Sequence, residues 1–174
     1  MTAGGTTGVG LRLPAADPCP FCDYLAGVTE TVFVSRNERV AAFVNLRQYE
    51  RGAMLVVPVA HRPTLLDVDD ALLADCYREA NRIGRALLHG FGATGLNVFT
   101  NAGVDAGQTV PHFHVHVVPR YPGTDPRRLF QDKNHDPQPI NCDAIGAAAR
   151  AALAGLNDWS VDGARWCAPA PLRG

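Results

Sequence analysis

Residues 112 to 120 read HFHVHVVPR, with histidines at 112, 114 and 116 and Phe113, Val115 and Val117 between and after them. A period of two is the period of a β-strand, so this segment predicts a strand with three imidazoles on one face and three apolar side chains on the other. The apolar face requires a core, and any fold for this chain must place a sheet around it. Half of the six histidines fall in the five residues 112 to 116, and three readings of them stand side by side. The first is a solvated strand, rich in histidine by chance. The second is a three-histidine metal site, although rings along one straight strand span about 13 Å, against a ligand distance of about 2.1 Å for a single ion. The third makes the middle ring a nucleophile. Histidine attacks phosphorus when one ring nitrogen is deprotonated and the other donates to a fixed acceptor. His114 meets that need if a nearby backbone carbonyl takes its second nitrogen. His116 would then donate to phosphate oxygens, and Gly107 with Gln108 would bring backbone and amide donors to the same phosphate.

The rest of the chain supplies partners for such a strand. TVFVSRN (31–37) and ERVAAFVNL (38–46) read as two short strands turning at Asn37-Glu38, AMLVVPV (53–59) as a third, and GLNVFTN (95–101) as a fourth. AGVDAGQTVP joins this fourth strand to the histidine strand as a glycine-rich hairpin connection. Between Asp67 and Gly90 the period changes: Leu72, Leu73, Cys76, Tyr77, Ala80, Ile83, Ala86 and Leu87 recur at three and four, which predicts a helix capped by Asp67 or Asp69 and ended by Gly90. A second apolar helix is expected over 144–156. This order predicts an α+β domain, with helices gathered on one side of an antiparallel sheet. Residues 1–17 read as a flexible leader, 18–125 as the domain, and 126–174 as a C-terminal helix and tail packing on the domain or on a partner.

Several function classes recede on composition. The formal charge is −1, from 16 basic and 17 acidic residues, and the only lysine is Lys133, so the basic field of a general nucleic-acid binder is missing. No apolar run approaches the ~20 residues that cross a bilayer, and the start lacks a secretory stretch, so a cytoplasmic protein with no membrane contact is expected. Five cysteines form no even framework. Cys19-Pro-Phe-Cys22 has the gap that sets two thiolates at adjacent tetrahedral corners; zinc is favoured over a redox pair, because no βαβ unit surrounds it. Cys76 reads as packing, His89 as a helix C-terminal residue and His135 as a loop residue, while Cys142 and Cys167 fit no ligand spacing.

The segment GQTVPHFHVHVVPR closely resembles the histidine triad family, whose pattern is His-x-His-x-His followed by two apolar residues and preceded by Gly-Gln-Ser/Thr-Val. The similarity extends upstream through FVNLRQYERGAMLVVPVAHRPTLLDV and GLNVFTNAGVDAGQ, covering residues 19 to 125. It implies a sheet of about five strands with one long central helix. It also implies that His114 is nucleotidylated at the α-phosphate and that water then releases a nucleoside monophosphate. By position, His116, Gln108 and Thr109 would hold phosphate, Asn101 would lie near the leaving group, Asn45 near the ribose, and Phe43 and Leu55 in the base pocket. Asn45 reads equally well as a strand-end turn residue. Zinc-bearing bacterial members resemble this chain in pairing the Cys-x-x-Cys with a histidine after the third strand and the first triad histidine. The implied structural zinc site is Cys19, Cys22, His61 and His112; without the resemblance, His61 reads as a solvated loop residue. Homodimers are common in the family, and Trp159 and Trp166 in the tail are core or partner surface.

Two departures bear on the branch. Gly52-Ala53 stands where members often have Gly-His, removing a histidine that supports the triad. Pro119-Arg120 follows the motif, as in the dinucleoside polyphosphate hydrolases, where phosphoramidases continue with Gly-Gly. Dinucleoside polyphosphates are therefore the expected substrates. The alternatives are a nucleoside phosphoramidase, a dinucleotide phosphorylase, or a non-catalytic nucleotide sensor.

Overall fold

Five antiparallel strands form one sheet in the order β1-β2-β3-β5-β4: β1 (Phe33–Arg36), β2 (Val40–Val44), β3 (Met54–Pro58), β4 (Gly95–Phe99) and β5 (Val115–Arg120). The computed structural model describes residues 10–125 and 141–156. The sequence readings of residues 1–9, Lys133, His135, Trp159, Trp166 and Cys167 fall outside them. The β1–β2 turn is closed by Asn37, whose Oδ1 accepts from Arg39 N at 2.8 Å and Val40 N at 2.9 Å. Every residue of β2, β3 and β5 is buried, because both faces of the sheet are covered at its centre.

On one face lie the helices α2 (Asp70–Phe91) and α3 (Cys142–Gly155). The apolar stripe of α2 packs on alternate sheet residues Ala42, Val44, Met54, Val56, Val115 and Val117, and on Phe113 just ahead of β5. Asp69 caps α2, its carboxylate accepting from Leu72 N at 2.7 Å. The helix ends at Gly92, in the left-handed region at φ 68°, and not at Gly90. Gly90 instead lets α3 approach: a Cβ there would lie 2.5 Å from that of Ala152.

The helices are not confined to one side. A short helix, α1 (Pro20–Ala26), follows Cys19 and packs Phe21 and Leu25 on the opposite face, against Ala41, Phe43, Leu55 and Val57. Its seven residues are too few to show a helical period, with Pro20 opening it and Gly27 closing it. Ahead of it, residues 10–12 run beside the loop that precedes the triad, where Val104 N donates to Arg12 O at 2.9 Å and Arg12 pairs with Asp105. No helix among the described residues is long and apolar enough to cross a membrane.

Candidate active site and metal centre

Strand register builds the floor of the site. Phe33 pairs with Phe43, Phe43 with Leu55, Leu55 with His116, and His116 with Phe99, so one cross-strand row traverses all five strands on the α1 face. A cavity of about 190 Å³ opens above this row. Of the residues expected to touch substrate, Phe43, Asn45, Leu55, Asn101, Thr109, His114 and His116 line it. His116 is 7% exposed. Its ring is stacked on Phe99 at 4.4 Å and 8° and met edge-on by Tyr49 at 6.0 Å. Phe21 meets the His114 ring at 5.3 Å and 88°. These aromatic walls were not anticipated. The signal in the sequence was faint: Phe99 lies in the strand paired with the triad, and Phe21 sits between the two cysteines.

His114 carries the geometry of a nucleophile. Its Nδ1 lies 2.7 Å from the carbonyl oxygen of His112; a carbonyl only accepts, so Nδ1 keeps the proton and Nε2 keeps its lone pair. Burial lowers the basicity of this ring, although the bond to His112 works in the opposite direction, and a neutral imidazole results near pH 7. The strand below is braced by Thr100, whose hydroxyl donates to the His114 carbonyl at 2.7 Å. Burial, with the repulsion a protonated His114 would exert second, pushes His116 down to about 3. Its Nδ1 is buried with no partner among the described residues. An orphaned buried N–H is the costlier arrangement, which favours the proton on Nε2, the nitrogen able to serve a ligand.

Two expected contacts are placed differently. The Gln108 side chain does not line the cavity. Its Nε2 donates to the carbonyls of Pro63 at 2.7 Å and Val110 at 2.8 Å, and its Oε1 accepts from Gly103 N at 2.7 Å. Gln108 holds the loop that presents Gly107 and Thr109. Asn45 does face the cavity, yet its Oδ1 accepts from Arg47 N at 2.9 Å, so the turn role is also filled. Arg120, at the end of β5, is buried between Glu50 at 3.2 Å and Asn97 at 2.6 Å.

The first triad histidine belongs to a different centre. His112 is fully buried, and its Nε2 donates to Pro58 O at 3.0 Å, which leaves Nδ1 unprotonated. That nitrogen is 3.5 Å from Cys19 Sγ and 3.6 Å from Cys22 Sγ, while His61 Nδ1 is 3.2 Å from Cys22 Sγ. All four ligand atoms lie within 4.8 Å of one another. Ligands of tetrahedral zinc, at about 2.3 Å for sulfur and 2.0–2.1 Å for nitrogen, lie roughly 3.3–3.8 Å apart. The donor set fits zinc. Without a cation, burial and then the hydrogen bond that the Cys22 thiol donates to Cys19 push Cys22 up to about 11, so the pair needs a metal to share the charge once it is deprotonated. The three histidines thus do not act as one row: His112 serves the cysteine cluster, and His114 with His116 serve the cavity.

Fold and site define an α+β protein with a paired-histidine cavity beside a Cys₂His₂ cluster. A family model described as the HIT domain matches residues 26–123, more than half of the chain, and the chain belongs to the HIT family. "Protein hit" of Bacillus subtilis is 36% identical over 106 residues, 61% of this chain and 73% of that protein. The asymmetrical bis(5'-nucleosyl)-tetraphosphatase of Schizosaccharomyces pombe is 40% identical over 85 residues, 49% of this chain and 47% of that protein. Among solved structures, a zinc-bound histidine triad family protein from Mycobacterium smegmatis matches with a TM-score of 0.70 at 31% identity, covering 82% of this chain and 97% of that one.

Proposed function

We propose that the protein cleaves nucleotides at the α-phosphate through a covalent nucleotidyl-His114 intermediate, with dinucleoside polyphosphates as its substrates. The observation that carries this reading is the 2.7 Å bond from His114 Nδ1 to the His112 carbonyl, which aims an unprotonated Nε2 at the cavity. In the first step the Nε2 lone pair forms a bond to the α-phosphorus as the bond to the bridging oxygen breaks. The leaving polyphosphate takes that electron pair. His114 then carries a positive charge, which the His112 carbonyl dipole stabilises. In the second step water attacks phosphorus, the N–P bond breaks with its pair returning to Nε2, and a nucleoside monophosphate leaves as the water proton passes to solvent. His116 Nε2–H and the Thr109 segment hold phosphate oxygens, Asn101 lies toward the leaving group, and Phe43 and Leu55 receive the base.

The likeness to the tetraphosphatase and the Pro119-Arg120 pair after the triad support the polyphosphate branch. Cys19, Cys22, His61 and His112 would hold zinc, which when bound supplies a closed structural crosslink between α1, the segment after β3 and the start of β5. A homodimer belongs to the same reading: β4 ends the sheet, and Val98 on it is 43% exposed.

One observation favours a second reading. His116 Nδ1 has no partner among the described residues, and the position just before β3 that often carries histidine in the family is Ala53 here; a sensor with vestigial catalysis would tolerate that gap. Diadenosine tri- and tetraphosphate and an adenosine phosphoramidate, offered to wild type and His114→Ala, separate the two. Wild type is expected to release AMP, and His114→Ala to lose at least 1,000-fold, with an adenylyl adduct trapped on the wild type alone. AMP binding without turnover of any of the three makes the sensor the better reading.

A further inference from the structure

The loop between β2 and β3, residues 45–53, holds one side chain that the chemistry above does not use. Among the described residues that line the active cavity, Arg47 is the only charged one and none is a carboxylate. Its guanidinium sits over the Tyr49 ring at 5.6 Å, and Tyr49 in turn meets His116 edge-on at 6.0 Å. A cation therefore lies one aromatic ring beyond the phosphate-facing histidine.

The loop that carries it is held firmly. Gln48 is 5% exposed, and its amide donates to the carbonyls of Asn45 at 2.5 Å and Ala53 at 2.8 Å, while its oxygen accepts from Gly52 N at 2.7 Å and Ala53 N at 3.2 Å. The Asn45 side chain fixes the Arg47 amide, and Glu50 is tied to buried Arg120. An arginine on so braced a loop is pre-organised for an anion; planar guanidinium matches phosphate oxygens in pairs.

We propose that Arg47 forms the leaving-group site, binding the outer phosphates of a polyphosphate chain whose α-phosphorus lies at His114. This rests on the function proposed above and adds to it a specificity. When the bridging P–O bond breaks, the electron pair stays on a polyanion beside Arg47, so anhydride leaving groups gain an interaction that an uncharged amine does not. Arg47 thereby decides between a polyphosphate and a phosphoramidate, whereas the base pocket treats the two alike.

Two measurements on the full chain test this with Arg47→Gln and Arg47→Lys. In the first, affinities for AMP and for the α,β-methylene analogue of ATP are compared by calorimetry. Wild type is expected to bind the triphosphate analogue at least tenfold more tightly than AMP, with a preference that weakens as salt rises. Arg47→Gln should remove that preference, and Arg47→Lys should keep part of it. An unchanged preference in Arg47→Gln overturns the proposal. In the second, kcat/KM is taken for diadenosine tetraphosphate and for adenosine phosphoramidate. The ratio of the two is expected to fall at least tenfold in Arg47→Gln, mainly through KM; a ratio constant within threefold, with both substrates turned over, sinks the leaving-group role while the catalytic reading stands. Conversely, a charge-dependent preference in binding with no turnover by wild type leaves the Arg47 site in place and removes the enzyme.

Discussion

Because the His112 carbonyl can only accept, the proton of His114 is confined to Nδ1 and the attacking nitrogen is chosen by a neighbour two residues away. His116 is governed differently, by burial. Its folded pKa, about 3, lies below the ordinary 6.5. Stability tied to this ring is therefore whole above pH 6.5 and is lost as the pH falls toward about 3, since the unfolded chain takes up the proton first. Between pH 7.5 and 5 the wild type should lose on the order of 1 kcal/mol more unfolding free energy than His116→Asn. Urea denaturation at the two pH values measures it, and carboxylate titrations common to both proteins cancel. Parallel losses would show that His116 is protonated equally easily in both states. The residue scale also held what the sequence hid. The Gln108 amide was expected at phosphate, yet it is engaged by three backbone groups, two in its own loop and the Pro63 carbonyl 45 residues away.

At the scale of elements, the strands and the long helix were legible because each repeats a period over enough residues to register. The helix stop was misplaced by two residues, since a glycine can serve either a left-handed turn or a close approach. Gly92 does the first and Gly90 the second. A methyl at Gly90 would stand 2.5 Å from the Ala152 Cβ, so α3 must shift away from α2. Gly90→Ala should cost about 1–3 kcal/mol through overpacking despite the better helix propensity of alanine. Thermal unfolding checks the sign, which would be reversed if propensity ruled. The short helix α1 escaped the sequence reading, and its position on the far side of the sheet from α2 and α3 is a consequence of what surrounds it: Phe21 and Leu25 bury on the face that the cross-strand row leaves open.

Across the whole molecule, the cysteine cluster joins segments 39 to 93 residues apart. It sets the place of α1, and α1 lends Phe21 and Tyr24 to the cavity wall. Chelation should therefore do two things: lower the unfolding temperature, on the order of 5 °C or more, and raise KM for nucleotide more than it lowers kcat, because the wall moves while His114 keeps its carbonyl. Metal analysis of purified protein should find about one zinc per chain; far less than one, or kinetics indifferent to chelator, would remove the metal from this account. By itself, the sequence determined the features written in local spacing: strands of period two with a histidine-bearing face, an amphipathic helix, a cysteine pair with metal-ligand spacing, and the triad motif. Only the tertiary structure decided which histidines act together, that the Gln108 amide is engaged by backbone groups away from the cavity, and that Arg47 lines the cavity. The physical reason is that periodicity encodes which way a side chain faces, whereas its partners are set by strand register and by long-range closure, which bring together residues whose spacing along the chain carries no trace of their contact.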